Sequence, residues 1–180
     1  LLRLARHYGA SPQVLAASAT IANAREHAEA LTGLPFEELK AQVARTEREL
    51  LVLLPKPLDR RGERRRSPLL EAAYLARRLA EAGLKGLVFA GARKSAELIA
   101  RYAAHPLVRP YRAGYTARER RRLEADLKEG RVRVLVSTSA LELGVDIGEL
   151  DAVVLVGYPG STAAFWQRAG RAGRGERRAL

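Results

Sequence analysis

Near the end of this 180-residue chain stands the run Gln167-Arg168-Ala169-Gly170-Arg171-Ala172-Gly173-Arg174. Three arginines recur at every third position, with only Ala and Gly between them. On a helix, residues three apart are surface neighbours. The spacing therefore predicts a dense positive face with little bulk around the guanidinium groups. Such a face suits a strongly anionic group such as a triphosphate, because the planar fork of Arg matches phosphate oxygens and keeps its proton. A solvated basic tail is the alternative, but a tail has no need of this spacing.

The composition points the same way. Formal net charge is +12, and 27 of the 32 basic residues are Arg. That balance is the electrostatic footprint of phosphate binding and favours a nucleic-acid or nucleotide partner. The 47% hydrophobic content suffices for a buried core. There is no Cys, which excludes a disulfide framework and a Cys-based zinc site, and His7, His27 and His105 lack metal-ligand spacing. No apolar run is long enough for a membrane span and no signal-peptide pattern opens the chain, so a soluble, cytoplasmic protein without membrane contact is expected. The first residue is Leu and Met is absent, so a piece of a longer protein is expected.

The positive face needs a scaffold. Gln13 to Ala17 and Leu51 to Leu54 are apolar runs that read as strands. Asn23 is placed to cap a helix through about Leu31, closed by Gly33 and Pro35. Residues 55–68 hold three prolines, a Gly and the run Arg60 to Arg66, and read as a linker. After Pro68 the pattern becomes regular. Helices are expected over Leu69–Ala82, Ala92–Ala104, Thr116–Glu129 and from about Thr162, the last carrying the arginine series. Strands are expected over Leu87–Ala90, Leu107–Tyr111, Val132–Val136 and Ala152–Val156. Strands alternating with helices imply an α/β fold, a parallel sheet covered on both faces.

Open parallel sheets bind ligands beyond the carboxyl ends of their strands. Those ends carry Gly91-Ala92-Arg93-Lys94-Ser95, Arg112-Ala113-Gly114, Ser137-Thr138-Ser139 and Gly157-Tyr158-Pro159-Gly160-Ser161. Backbone N–H groups, hydroxyls and Arg are the means of contacting phosphates. The run Gly86 to Ser95 only superficially resembles a phosphate loop. Arg93, not Gly, precedes Lys94, and Leu87 to Ala90 read as strand. No acidic pair follows a strand to hold Mg2+. Trp166 is expected in core or interface packing.

These segments resemble the motifs of superfamily 2 helicases of the DEAD/DEAH-box type. Val134 to Ile147 resembles motif V, Gln167 to Arg174 motif VI, Ser18-Ala19-Thr20 motif III and Val88 to Arg93 motif IV, while Tyr111 to Gly114 with Arg120 resembles the small motifs that follow. Ala140 to Gly144, Gly157 to Gly160, Phe165-Trp166-Gln167 and Tyr111 to Tyr115 resemble the DNA-repair branch similar to the mitomycin-repair helicase, whose members usually carry a C-terminal zinc-binding region. The resemblance implies a RecA-like, P-loop NTPase-type sheet over 69–180, preceded by the tail of a first RecA-like domain over 1–54 and the linker 55–68. It implies an ATP-dependent helicase, with ATP and Mg2+ bound mainly by an upstream RecA-like domain outside this chain, and DNA rather than RNA as the nucleic acid.

The resemblance also implies roles. Arg171 and Arg174 correspond to arginine fingers that stabilise the transferring phosphoryl group, with Gln167 linking nucleotide to domain interface. Asp146 and Gly144 correspond to nucleotide contacts. Thr138, Arg93, Arg112 and Gly114 correspond to nucleic-acid contacts, and Ser18 and Thr20 to the coupling of hydrolysis to domain movement. Lacking a phosphate loop and metal carboxylates, the chain alone is expected to be inactive as an ATPase. A basic binding module without ATP chemistry and a double-strand translocase are the competing readings.

Overall fold

The computed structural model describes residues 2–18, 21, 23–39, 48–61, 63–141 and 147–173. The chain forms two compact units, Leu1–Ala44 and Arg45–Leu180.

In the first unit, helix α1 spans Leu2–His7 and α2 spans Ala24–Thr32. Asn23 is the N-cap residue of α2, without a side-chain capping bond. Gly33 ends the helix in the left-handed conformation, its N–H reaching Glu29 O at 2.8 Å. The strand expected over Gln13–Ala17 is absent, and Leu15 is 88% exposed. An apolar run becomes a strand only where another strand receives its N–H and C=O groups, and the described residues of this unit contain none.

The second unit is built on four parallel strands: β1 (Gly86–Phe89), β2 (Val108–Tyr111), β3 (Val134–Ser137) and β4 (Ala152–Leu155), in the order β2-β3-β1-β4. Phe89 lies opposite Ser137 on one side and Leu155 on the other, so β1, β3 and β4 end level. β1 and β3 are buried throughout, as their unbroken apolar character requires in a sheet covered on both faces. β2 contains Pro110, which lacks an N–H, and it occupies an edge of the sheet.

Side chains alternate across the sheet. Val88, Val108, Val134 and Val136 pack with α3 (Pro68–Glu81) and α4 (Arg93–Ala103) through Ala72, Ala76, Ala80, Ala96, Ile99 and Ala103. The five alanines among them let the two helices lie close on each other and on the sheet. On the opposite face, Leu87, Phe89, Tyr111 and Leu135 pack with Leu127 of α5 (Ala117–Lys128) and with Leu141, Ile147 and Leu150. Helix α5 opens on a capping box. The Thr116 hydroxyl accepts the Glu119 N–H at 3.2 Å, and the Glu119 carboxylate accepts the Thr116 N–H at 2.8 Å.

One expectation is corrected in this unit. Leu51 to Leu54 form no strand, and all four are more than half exposed. Among the described residues the four sheet strands pair only with one another, and none pairs with this segment. Residues 55–68 contain an ordered turn: Leu58 N donates to Arg64 O, Arg66 N to Lys56 O, and the Asp59 carboxylate accepts the N–H groups of Glu63 and Arg64, both at 3.0 Å. Among the described residues no helix is long and apolar enough to cross a membrane.

Candidate functional site

Because β1, β3 and β4 are adjacent and end level, the residues that follow them converge. Gly91 follows β1, Thr138 and Ser139 follow β3, and Gly157 to Gly160 follow β4. Together with Arg168 they line a cleft of about 340 Å³. No acidic side chain is among its described lining residues. Hydroxyls, backbone groups and one guanidinium thus face a space suited to an anion.

Arg168 comes from α6 (Thr162–Ala169), which Ser161 caps through its hydroxyl to the Ala164 N–H at 3.1 Å. Its guanidinium carbon sits 5.4 Å from the centre of the Phe89 ring. That contact holds the head group against the second core face, where ring electrons favour a cation.

The arginine series does not lie on one helix. Helix α6 ends at Ala169. Gly170 donates to Trp166 O at 2.8 Å, and the chain then tightens, Arg171 N to Arg168 O at 3.0 Å and Ala172 N to Ala169 O at 3.2 Å. A Cβ on Gly170 would stand 2.7 Å from Trp166 O, a separation real Cβ atoms do not adopt. Gly173 then turns left-handed and donates to Leu150 O. The glycines that leave room around the arginines also end the helix. Arg171 follows in the turn and is only 5% exposed. A guanidinium at that depth is set by its surroundings, not by solvent. Gln167 is half-buried on α6. Trp166, expected in packing, is 53% exposed and meets Phe165 edge-on at 5.2 Å.

Of the other anticipated residues, Thr138 lines the cleft and is half-buried. Arg93 is the exposed first residue of α4, next to the cleft segment but not among the lining residues. Arg112 follows β2, two strands away from β1. It forms an ion pair with Glu97 and lies 4.7 Å above the Tyr115 ring. Gly114 is exposed, and a Cβ there would touch nothing. Tyr111 anchors the start of this loop, donating to Glu124 at 2.7 Å, and burial followed by Glu124 pushes its phenol up to about 12. Ser18 is exposed in the first unit. Thr20, Gly144, Asp146 and Arg174 lie outside the described residues. Reading the sequence placed Arg168 in the basic series and Tyr158 in a strand-end segment, without an individual role for either. The position of Arg168 on Phe89 is tertiary, and no local pattern carries it.

A level-ended parallel sheet with anion-ready strand ends and a buried arginine turn defines a RecA-like helicase domain. Residues 69–176 match the helicase conserved C-terminal domain, and the chain belongs to that family. It is 40% identical over 183 residues to the uncharacterized ATP-dependent helicase YprA of Bacillus subtilis, covering 97% of this chain and 24% of that protein. It is 31% identical to the ATP-dependent helicase hrq1 of Schizosaccharomyces pombe, covering 99% of this chain and 18% of the relative. Among solved structures, the DUF1998 helicase MrfA bound to DNA and AMPPNP superposes with a TM-score of 0.78 at 37% identity, over 99% of this chain and 26% of that one. The chain thus spans about a quarter or less of the length of these relatives.

Proposed function

We propose that this chain is the second motor domain of an ATP-dependent DNA helicase, with a role in DNA repair. The carrying observation is the convergence of Thr138, the glycine-framed loop 157–160 and Arg168 on one strand-end cleft, beside the turn that buries Arg171. The relative MrfA, with DNA and AMPPNP in its solved structure, supports both ligands. On this reading Thr138, Arg93, Arg112 and Gly114 track the DNA backbone. Arg171 and Arg174 place positive charge against the transferring phosphoryl group of ATP, where charge develops in the transition state. Gln167 ties that turn to the nucleotide, Asp146 and Gly144 contact it, and Ser18 and Thr20 couple hydrolysis to domain movement. Among the described residues no group of three His, Cys, Asp or Glu side chains could hold a metal ion. Mg2+ is read as bound mainly by an upstream RecA-like domain, as the family resemblance implies, and no step given to this chain runs through it.

The pairing of Arg112 with Glu97 fits a phosphate contact in waiting. A phosphate displaces a surface carboxylate at small cost, since exposed ion pairs contribute only about 0–1 kcal/mol. The test is strand displacement by the intact protein on a duplex with single-stranded tails. ATP-dependent displacement, with hydrolysis stimulated by DNA, is expected. DNA-independent hydrolysis, or none, overturns the reading.

A further inference from the structure

The cleft holds one aromatic side chain. Tyr158 is 68% exposed and lines the same space as Thr138, Ser139 and Arg168. A lone exposed aromatic is ordinary on a protein surface. Tyr158 differs in how it is held. Gly157 and Gly160 on either side of its turn both take left-handed φ values, 85° and 92°, and Pro159 fixes the φ next to it. The ring is therefore presented from a turn whose backbone path depends on two left-handed glycines.

Gly91 supplies the second observation. β1 lies between β3 and β4 in the sheet, so exposed Gly91 lines the cleft between the Thr138 and Tyr158 segments. Its φ is not left-handed, and a Cβ there would meet nothing within 4 Å. Neither the turn nor the packing asks for glycine. What glycine provides is open backbone that a ligand can approach. A volume of about 340 Å³ is at the small end of ligand sites, which run from about 300 to 1,000 Å³. It suits a single nucleotide unit.

We propose that Tyr158 is a stacking platform for one base of single-stranded DNA, beside backbone left open by Gly91. Phosphate contacts from Thr138 and Arg168 would flank it. This rests on the helicase reading above and adds a base contact to a track otherwise made of backbone contacts. Every base has a π-face, so the contact grips the strand without reading sequence.

The test uses the intact protein and fluorescent single-stranded oligonucleotides, one of thymidines and one of matched abasic residues. Tyr158→Ala should weaken thymidine-strand binding by about 5- to 150-fold, and Tyr158→Phe should stay within about twofold of the parent. The parent should lose a similar factor on the abasic strand, while Tyr158→Ala should bind the two strands equally. Gly91→Leu, whose Cβ has open space around it, should weaken binding to both strands. Equal binding of both strands by the parent overturns the stacking site and leaves the helicase reading standing. A Tyr158→Ala variant with unchanged DNA affinity but a raised KM for ATP assigns the base to the nucleotide and also overturns it. Absence of any DNA binding by the parent overturns the helicase reading itself.

Discussion

Gly170→Ala probes the turn that sets Arg171. The new Cβ would stand 2.7 Å from Trp166 O, and the obstacle is backbone, which cannot swing aside like a side-chain tip. Restoring ordinary contact requires movement of several tenths of an ångström between the end of α6 and the Arg171 turn. Alanine ordinarily gains about 0.5–1 kcal/mol over glycine through chain entropy, while forcing a group into filled space costs about 1–3 kcal/mol. The net expectation is a loss of ~1–2 kcal/mol. At about 2–4 °C per kcal/mol for a domain of this size, Tm should fall by ~2–8 °C. The displaced turn should also slow ATP hydrolysis in the intact protein, because misplacing a catalytic group by about 1 Å can cost ~100-fold. Gly114→Ala is the matched control: a Cβ there touches nothing and the φ is not left-handed. Its stability should stay within about 0.5 kcal/mol, and any effect should appear in DNA affinity. Urea melts and single-turnover hydrolysis read both variants. A Gly170→Ala protein as stable and as fast as the parent would refute the packing argument.

Ala104 ends α4 with φ 47°, the only non-glycine left-handed residue among those described. Ala104→Gly should therefore stabilise the second unit by about 0.5–1 kcal/mol, read as a higher urea midpoint. Tyr111→Phe removes the 2.7 Å bond to Glu124 and should cost about 1.5–3 kcal/mol, as expected for a hydrogen bond to a charged group. Glu29, Glu81 and Glu119 are all held below the ordinary carboxylate value, by the Phe36 N–H, by Arg77 and by the Thr116 N–H respectively. Their contribution is full above the unfolded glutamate value of about 4.3 and is lost as pH falls through their lower folded values. Thermal melts from pH 6 to 3 should show stability declining across that window.

The second unit was largely legible in the sequence. Leu87 to Phe89 and Val134 to Val136 are unbroken apolar runs, and only a sheet covered on both faces buries such runs whole. Thr116 and Glu119 declare their capping box by type and spacing. Leu51 to Leu54 misled because hydrophobicity signals a tendency to burial without naming the partner, and among the described residues no strand pairs with it. The arginine spacing suggested a helix face because Ala and Gly looked like absent bulk. Gly170 matters instead because a Cβ there would stand 2.7 Å from Trp166 O, just where α6 gives way to the Arg171 turn. Arg168 was legible as a basic residue, but its seat on Phe89 joins positions 79 residues apart (168 − 89). The strand-end segments were legible as ligand-facing, and their convergence on one cleft follows from the order β3-β1-β4.

The central claim is that Arg171 serves phosphoryl transfer and not DNA binding. Single-turnover ATP hydrolysis and DNA affinity, measured side by side on Arg171→Ala and Arg171→Lys in the intact protein, test it most directly. Because Arg171 is only 5% exposed, melting curves must first show that each variant is folded. Arginine fingers contribute about 10³–10⁵ in rate to GTP hydrolysis, and a loss in that direction is expected here, with DNA affinity changing far less. Lysine should not rescue, since one ammonium cannot reproduce the planar fork. Normal single-turnover hydrolysis with collapsed DNA binding in folded variants would contradict the account and make the arginine turn a DNA contact.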